Sequence, residues 1–205
     1  MKTCTFVAKQ RTMKETITNL IQSSIDVKTA LLKDENLIKQ IETVANQMID
    51  AYRHGKKIMF AGNGGSAADS QHLAAELVNR FQYDREGLAS IALSTDSSIV
   101  SSIANDYGYE NVFSRQVATQ GVSGDVFVGI STSGNSENIV KALNVCKEKG
   151  IFSVGLTGGT GGKMALLCDV CIVVPSNVTA RIQECHILIG HILCGLVEEA
   201  IFPRK

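Results

Sequence analysis

The chain has 205 residues, 44% hydrophobic and 20% charged, which is enough apolar material for one domain with a substantial core. Lys+Arg and Asp+Glu are equal at 20 each, so no global field draws the protein to nucleic acid or to an anionic membrane. Residues 1–11 hold no apolar run of signal-peptide length, and the apolar C-terminal stretch is broken by Cys185, His186, Gly190, His191 and Gly195. A soluble protein of a reducing, cytoplasmic compartment is expected, with no membrane span.

Residues 1–12 read as a loosely ordered extension, with a single domain over 13–205. Met13–Leu32 places apolar residues at helical spacing, and a second helix follows over Glu35–Tyr52 with Ile38, Ile41, Val44, Met48 and Ile49 as its buried stripe. Gly55 stops it. Ile58–Ala61 then reads as a short buried strand, leading through Gly62-Asn63-Gly64-Gly65-Ser66 into a helix that reaches Phe81. Ser90–Leu93 is the second strand, and helices follow over Ser97–Ala104 and Glu110–Thr119. Asp125–Ile130 is the third strand, with a helix to Lys149. Phe152–Leu156 and Val170–Val174 are the fourth and fifth strands, separated by a turn at Gly158–Gly162. A long helix closes the chain over Thr179–Ile201. Alternating strands and helices predict a three-layer α/β/α sandwich around a five-stranded parallel sheet, flavodoxin-like and preceded by helices. Ligands of such sheets gather beyond the carboxyl ends of the strands.

Ser131-Thr132-Ser133-Gly134-Asn135-Ser136 follows a strand and opens a helix, bringing four hydroxyls to a helix N-terminus. That is a place where free amides and the helix dipole favour an anion, and a monophosphate would bind there without Lys or Arg. A plain N-cap would need only one of those hydroxyls. The spacing is not that of a nucleotide P-loop, and Gly62, Gly64 and Gly65 do not match a dinucleotide fingerprint. The glycine turn reads instead as the opposite wall of a sugar-phosphate pocket.

Only four histidines occur, and three of them (His72, His186 and His191) fall on the two helices nearest this pocket. His72 and Glu76 are four apart and share a helix face. Aldose–ketose interconversion needs a base at the carbon between two oxygenated positions and an acid or metal to stabilise the enediolate. His72, Glu76, Gln183 and His191 form a mixed N/O set suited to zinc. Gln183 and His191 are eight apart, roughly 12 Å along one helix. Either their side chains lean together across that rise, or one helix end comes from another subunit. His186 reads as structural. Cys168-x-x-Cys171 could be a redox pair or half a zinc site, but no second such pair exists and Cys171 lies in a strand, so a structural role is expected.

The turn Gly62–Ser66, His72-x-x-x-Glu76-Leu77, Ala104-Asn105-Asp106, Gly129–Ser136 and Arg181-Ile182-Gln183-Glu184 with His191 resemble the phosphoheptose isomerases of the SIS (sugar isomerase) domain superfamily. The resemblance runs from about Met13 to Phe202. It implies conversion of D-sedoheptulose 7-phosphate to D-glycero-D-manno-heptose 7-phosphate, on the route to the heptose of lipopolysaccharide or capsule. It further implies Glu76 as base and His191 as acid, with one Zn2+ per subunit held by His72, Glu76, Gln183 and His191. Asn63, Gly64, Gly65, Ser66, Glu76, Asn105, Asp106, Ser131, Thr132, Ser133, Ser136 and Gln183 would hold substrate, in a homotetramer with sites at subunit contacts. Some members carry Asp where this chain has Ala180. Non-enzymatic relatives of the same fold, such as the factor that associates with the replication initiator DnaA or sugar-phosphate-sensing regulators, are the alternative. The DnaA-associating relatives lack the counterparts of Glu76 and His191, which are both present here, and a sensing module would not need them.

Overall fold

The computed structural model describes residues 12–204; the extension expected over residues 1–12 lies outside them except for Thr12. Thr12 is the N-cap of α1 (Met13–Lys33), where a reciprocal capping box with Glu15 closes the first turn. Helices α2 (Glu35–Arg53), α3 (Gly65–Val78), α4 (Ser97–Tyr107), α5 (Val112–Gln120), α6 (Glu137–Lys149) and α7 (Thr179–Ile201) alternate with β1 (Ile58–Gly62), β2 (Ser90–Ala92), β3 (Val126–Ile130), β4 (Phe152–Gly158) and β5 (Val170–Val174) after the initial helix pair. The five strands form one parallel sheet in the order β2-β1-β3-β4-β5. That order, with helices on both faces, is the flavodoxin-like architecture expected from the sequence.

Strand residues alternate between the two faces. Ile58, Phe60, Val128, Val154, Leu156 and Ile172 pack against α2, α3 and α7, whereas Met59, Ala61 and Phe127, with Leu93 just past β2, pack with α5 and α6. Both faces are apolar and covered, as a parallel sheet requires. The expected stripe of α2 is buried except for Ile38, which is 46% exposed.

The turns after β1 and β3 lie side by side, because Gly62 pairs with Ile130 and the chain leaves these neighbours in opposite directions, to β2 and to β4. This is the topological switch point. Helix α3 ends at Val78, short of the expected Phe81. Arg85 draws its Nη2 to Glu76 O (2.9 Å) and its Nη1 to Leu77 O (2.7 Å). Glu198 accepts from the amides of Phe81 and Gln82, each at 2.8 Å. Tertiary partners thus replace the helical hydrogen bonds that would have carried the helix further. Strand β4 also runs two residues beyond its expected end, so Thr157 and Gly158 pair with Val173 and Val174 of β5.

Candidate functional site

At the switch point the loop after β3 folds its hydroxyls inward. Ser131 is buried, and its Oγ lies 2.8 Å from Ser136 Oγ and 3.5 Å from Ser133 Oγ. Ser136 occupies the N-cap of α6 yet makes no capping hydrogen bond, so the first amides of α6 stay open to a ligand. Gly134 adopts a positive φ of 65°, and a Cβ there would meet Gly161 O at 1.9 Å. The turn therefore interlocks with the segment after β4. Thr132 and Ser133 form one wall of a cleft of about 280 Å³ whose other walls are Gly158–Thr160, Asn177, Thr179 and Ile182. Thr160, Asn177 and Thr179 were not singled out from the sequence. Their position just past β4 and β5 is the signal that points to them.

The glycine turn after β1 is tied to the first turn of α6 by Asn63 and Asn138. Each side-chain amide donates to the other's oxygen, at 3.0 and 2.9 Å, and Tyr109 OH donates to Asn63 Oδ1 at 3.0 Å. The Asn63 side chain is thus engaged within the protein, and its carbonyl accepts from the Ser66 amide at 3.0 Å; Asn138, buried on α6, has no sequence signature. Gly64 and Gly65 are exposed, Ser66 is buried behind them, and Gln183 reaches this turn, its Nε2 lying 2.5 Å from where a Gly65 Cβ would be. Asn105 and Asp106 hydrogen-bond each other at 2.8 Å at the exposed end of α4.

The acid–base candidates assemble elsewhere. Helices α3 and α7 run parallel: Gly65 meets Gln183, Leu73 fills the notch at Gly190, and Phe81 lies beside Gly195. His72 and His191 consequently meet, Nε2 to Nε2 at 2.8 Å, and Glu76 Oε1 lies 3.3 Å from His72 Nε2. The His191 ring stacks on Phe81 at a centroid distance of 5.5 Å. The candidate ligand atoms of His72, Glu76 and His191 all lie within 4.8 Å of one another. Around an ion with bonds of about 2.1 Å, tetrahedral ligand atoms stand roughly 3.4 Å apart, so this trio fits zinc after small side-chain adjustments. The same parallel packing keeps Gln183 with the glycine turn, so in one chain it does not lean toward His191. Glu76 lies eleven residues beyond Gly65, roughly 16 Å along α3. His186 is buried, its Nε2 bonded to Thr157 O at 3.0 Å, and desolvation pushes its pKa down to about 4. It is a neutral core histidine.

The SIS domain family model matches residues 21–158. A phosphoheptose isomerase of Aneurinibacillus thermoaerophilus is 64% identical over 193 residues, 94% of this chain and 98% of that protein. Phosphoheptose isomerase 2 of Campylobacter jejuni is 63% identical over 181 residues, 88% of this chain and 90% of the other. Among solved structures, the phosphoheptose isomerase of Neisseria gonorrhoeae aligns with a TM-score of 0.86 at 41% identity, covering 92% of this chain and all of that one. With α3 and α7 bringing His72, Glu76 and His191 together, a hydroxyl-lined cleft after β3, and relatives of this closeness spanning nearly the whole length, the chain belongs to the SIS domain family and, within it, to the phosphoheptose isomerases.

Proposed function

We propose that the protein interconverts D-sedoheptulose 7-phosphate and D-glycero-D-manno-heptose 7-phosphate, and that each site is shared between two copies of the chain. The observation that carries the second half is a distance. A heptulose phosphate spans about 10 Å from C1 to phosphorus at about 1.5 Å per bond, whereas Glu76 lies roughly 16 Å along α3 from the glycine turn, which sits beside the phosphate turn where Gly62 pairs with Ile130. A phosphate held on Ser131, Thr132, Ser133 and Ser136 of one copy therefore presents its sugar to the Glu76 and His191 of another. The exposed apolar side chains of α1, α2 and α7, among them Ile17, Leu20, Ile21, Ile25, Ile38, Leu188, Ile192 and Leu196, support self-association, which we take from the family resemblance to be that of a homotetramer.

Glu76 takes the proton from C1 of the ketose while His191 gives a proton to O2. Glu76 then returns a proton to C2, and His191 accepts one from O1. Phe81 holds the His191 ring flat against it. Backbone amides of Gly64 and Gly65, the first turn of α6 and the polar end of α4 at Asn105 and Asp106 orient the hydroxylated chain. His72, Glu76 and His191 would hold a zinc ion, with Gln183 of a second copy as the fourth donor, and the ion would polarise the carbonyl oxygen as a Lewis acid. The product serves heptose incorporation into lipopolysaccharide or capsule, in the cytoplasm. Among the described residues no helix is long and apolar enough to cross a membrane.

The experiment is subunit complementation. Glu76→Gln removes the base, and Ser136→Asp places a carboxylate where the phosphate sits; each variant alone is expected to be inactive. Unfolded and refolded together in equal amounts, they are expected to regain about one quarter of wild-type turnover, since random association gives that share of sites an intact loop from one copy and an intact base from another. A mixture that stays inactive while forming mixed oligomers would place loop and base in one chain and overturn the shared site. Absence of turnover of sedoheptulose 7-phosphate by the wild-type enzyme would overturn the substrate.

A further inference from the structure

The isomerase chemistry leaves Cys168 and Cys171 unused. Cys168 lies between the 3-10 turn Gly162–Leu166 and β5, and Cys171 is the second residue of β5. Both are free and half-buried, whereas Cys146, Cys185 and Cys194 are fully buried. Strand β4 faces the pair with Gly155, the register partner of Cys171. A Cβ on Gly155 would lie 2.8 Å from Cys168 Sγ and 3.1 Å from Cys171 Sγ, so both sulfurs share the notch that the missing side chain opens. The interaction between the two neighbouring thiols, with Thr157 beside Cys171, holds the Cys171 pKa down and pushes that of Cys168 up.

The notch is mechanically joined to the phosphate loop. The Cys168 amide donates to Met164 O at 3.0 Å, and the Met164 amide donates to Gly134 O at 3.0 Å. Gly134 in turn packs on Gly161 at the other end of the same short turn. Any shift of Cys168 therefore reaches the phosphate-facing backbone through two hydrogen bonds. On the opposite side, Thr157 Oγ1 lies 3.5 Å from Cys171 Sγ, and the next residue, Gly158, lines the cleft.

We propose that Cys168 and Cys171 form a reversible disulfide by exchange with a small-molecule disulfide, and that closing this bridge loosens the phosphate loop. Cys171, as thiolate, attacks one sulfur of the small disulfide, and the S–S electron pair leaves with the other half as a thiolate. The Cys168 sulfur, giving up its proton, then attacks Cys171 in the mixed disulfide and expels the second thiolate. Two protein thiols are oxidised, one disulfide is reduced, and the two protons end on the two released thiols. A finished bridge holds the sulfurs at about 2.0 Å and both thiols are free here, so closing it moves Cys168 toward β5 and draws the Met164–Gly134 contact with it. The exchange rests on the sulfur geometry alone; the coupling rests also on the phosphate-loop reading.

The test uses the full chain carrying Cys4→Ser, incubated with glutathione disulfide and separately with dithiothreitol. Intact mass and peptide mapping are expected to show the loss of two hydrogens and a bridge within the Cys168–Cys171 peptide. Calorimetric titration with inorganic phosphate is expected to show binding weakened roughly two- to tenfold in the oxidised form, the worth of one net hydrogen bond, and restored by dithiothreitol. Cys168→Ser and Cys171→Ser should each abolish the redox response. Should either fail to fold, the reversal in the parent protein carries the test. Thiols that stay reduced or stop at the glutathione adduct overturn the exchange, and a bridge that leaves phosphate affinity unchanged overturns the coupling. Phosphate binding in neither redox form overturns the coupling together with the phosphate-loop reading beneath it.

Discussion

Replacing Glu198 by Ala tests how the end of α3 is held. Glu198 and Arg85 form an ion pair at 2.9 Å with side chains only 1% and 2% exposed. Burial alone would push the Glu198 carboxyl up, yet the amides of Phe81 and Gln82 and the Arg85 guanidinium together hold it below its ordinary value of 4.5. The variant leaves a guanidinium buried without its counter-charge and two amides without acceptors. Removing one partner of a buried pair costs about 3–5 kcal/mol, which for a chain of this size is a loss of roughly 6–20 °C in thermal midpoint. A carboxylate whose folded pKa is depressed stabilises above its unfolded value, and that contribution disappears as pH falls through the folded one. The gap between parent and variant should therefore be full at pH 7 and shrink below about pH 4.5. Differential scanning calorimetry at pH 7 and across the acid range measures both. A midpoint loss under about 2 °C at pH 7 would refute the assignment of this pair as the clamp on α3.

Gly134→Ala places a Cβ 1.9 Å from Gly161 O at a φ of 65°. The variant is expected to lose measurable phosphate binding by calorimetry, and unchanged affinity would mean the loop does not hold the phosphoryl group. His186 titrates near 4 when folded, so the unfolded chain binds its proton first and stability should fall as pH drops from about 6.5 toward 4, by up to roughly 3 kcal/mol; His186→Gln should flatten that slope in urea titrations. Chelator-stripped protein is expected to show lower turnover and a lower thermal midpoint, both restored by zinc and the latter unresponsive in His72→Ala. A midpoint indifferent to zinc would remove the metal from the trio.

What could be read from the sequence was what is local. The strand–helix alternation, the hydroxyl run at Ser131–Ser136 and the i,i+4 pair His72/Glu76 all depend on neighbours within a few residues, and backbone periodicity exposes them. The end of α3 was misplaced because Arg85 and Glu198, 113 residues apart, terminate it. The Asn63–Asn138 pair spans 75 residues and leaves no trace in spacing. The rise between Gln183 and His191 was visible, but its meaning depended on whether α3 and α7 run parallel, which packing decides through Gly190 receiving Leu73. Ile38 fits a buried stripe by periodicity and is half exposed in the single chain, since periodicity marks an apolar face without naming what covers it.

That face offers a last, separable test of the shared site. A groove of about 290 Å³ runs between α1, α2 and α7, lined by Leu31, Leu37, Ile38, Ile41, Leu188 and Ile192 among others, and Ile38 contributes to it from a position remote in sequence from every proposed site residue. In a chain that worked alone, Ile38→Glu would be a surface change worth within about 0.5 kcal/mol and would leave turnover intact. Where a second copy covers the groove, the same carboxylate is buried without a partner, at a cost of several kcal/mol per interface. Sedimentation velocity is then expected to show smaller species, with turnover falling in proportion to the oligomer lost and the fold unchanged by circular dichroism. A variant that sediments as subunits yet keeps full turnover would mean that one chain spans the distance between its own phosphate turn and Glu76, against the length of the substrate.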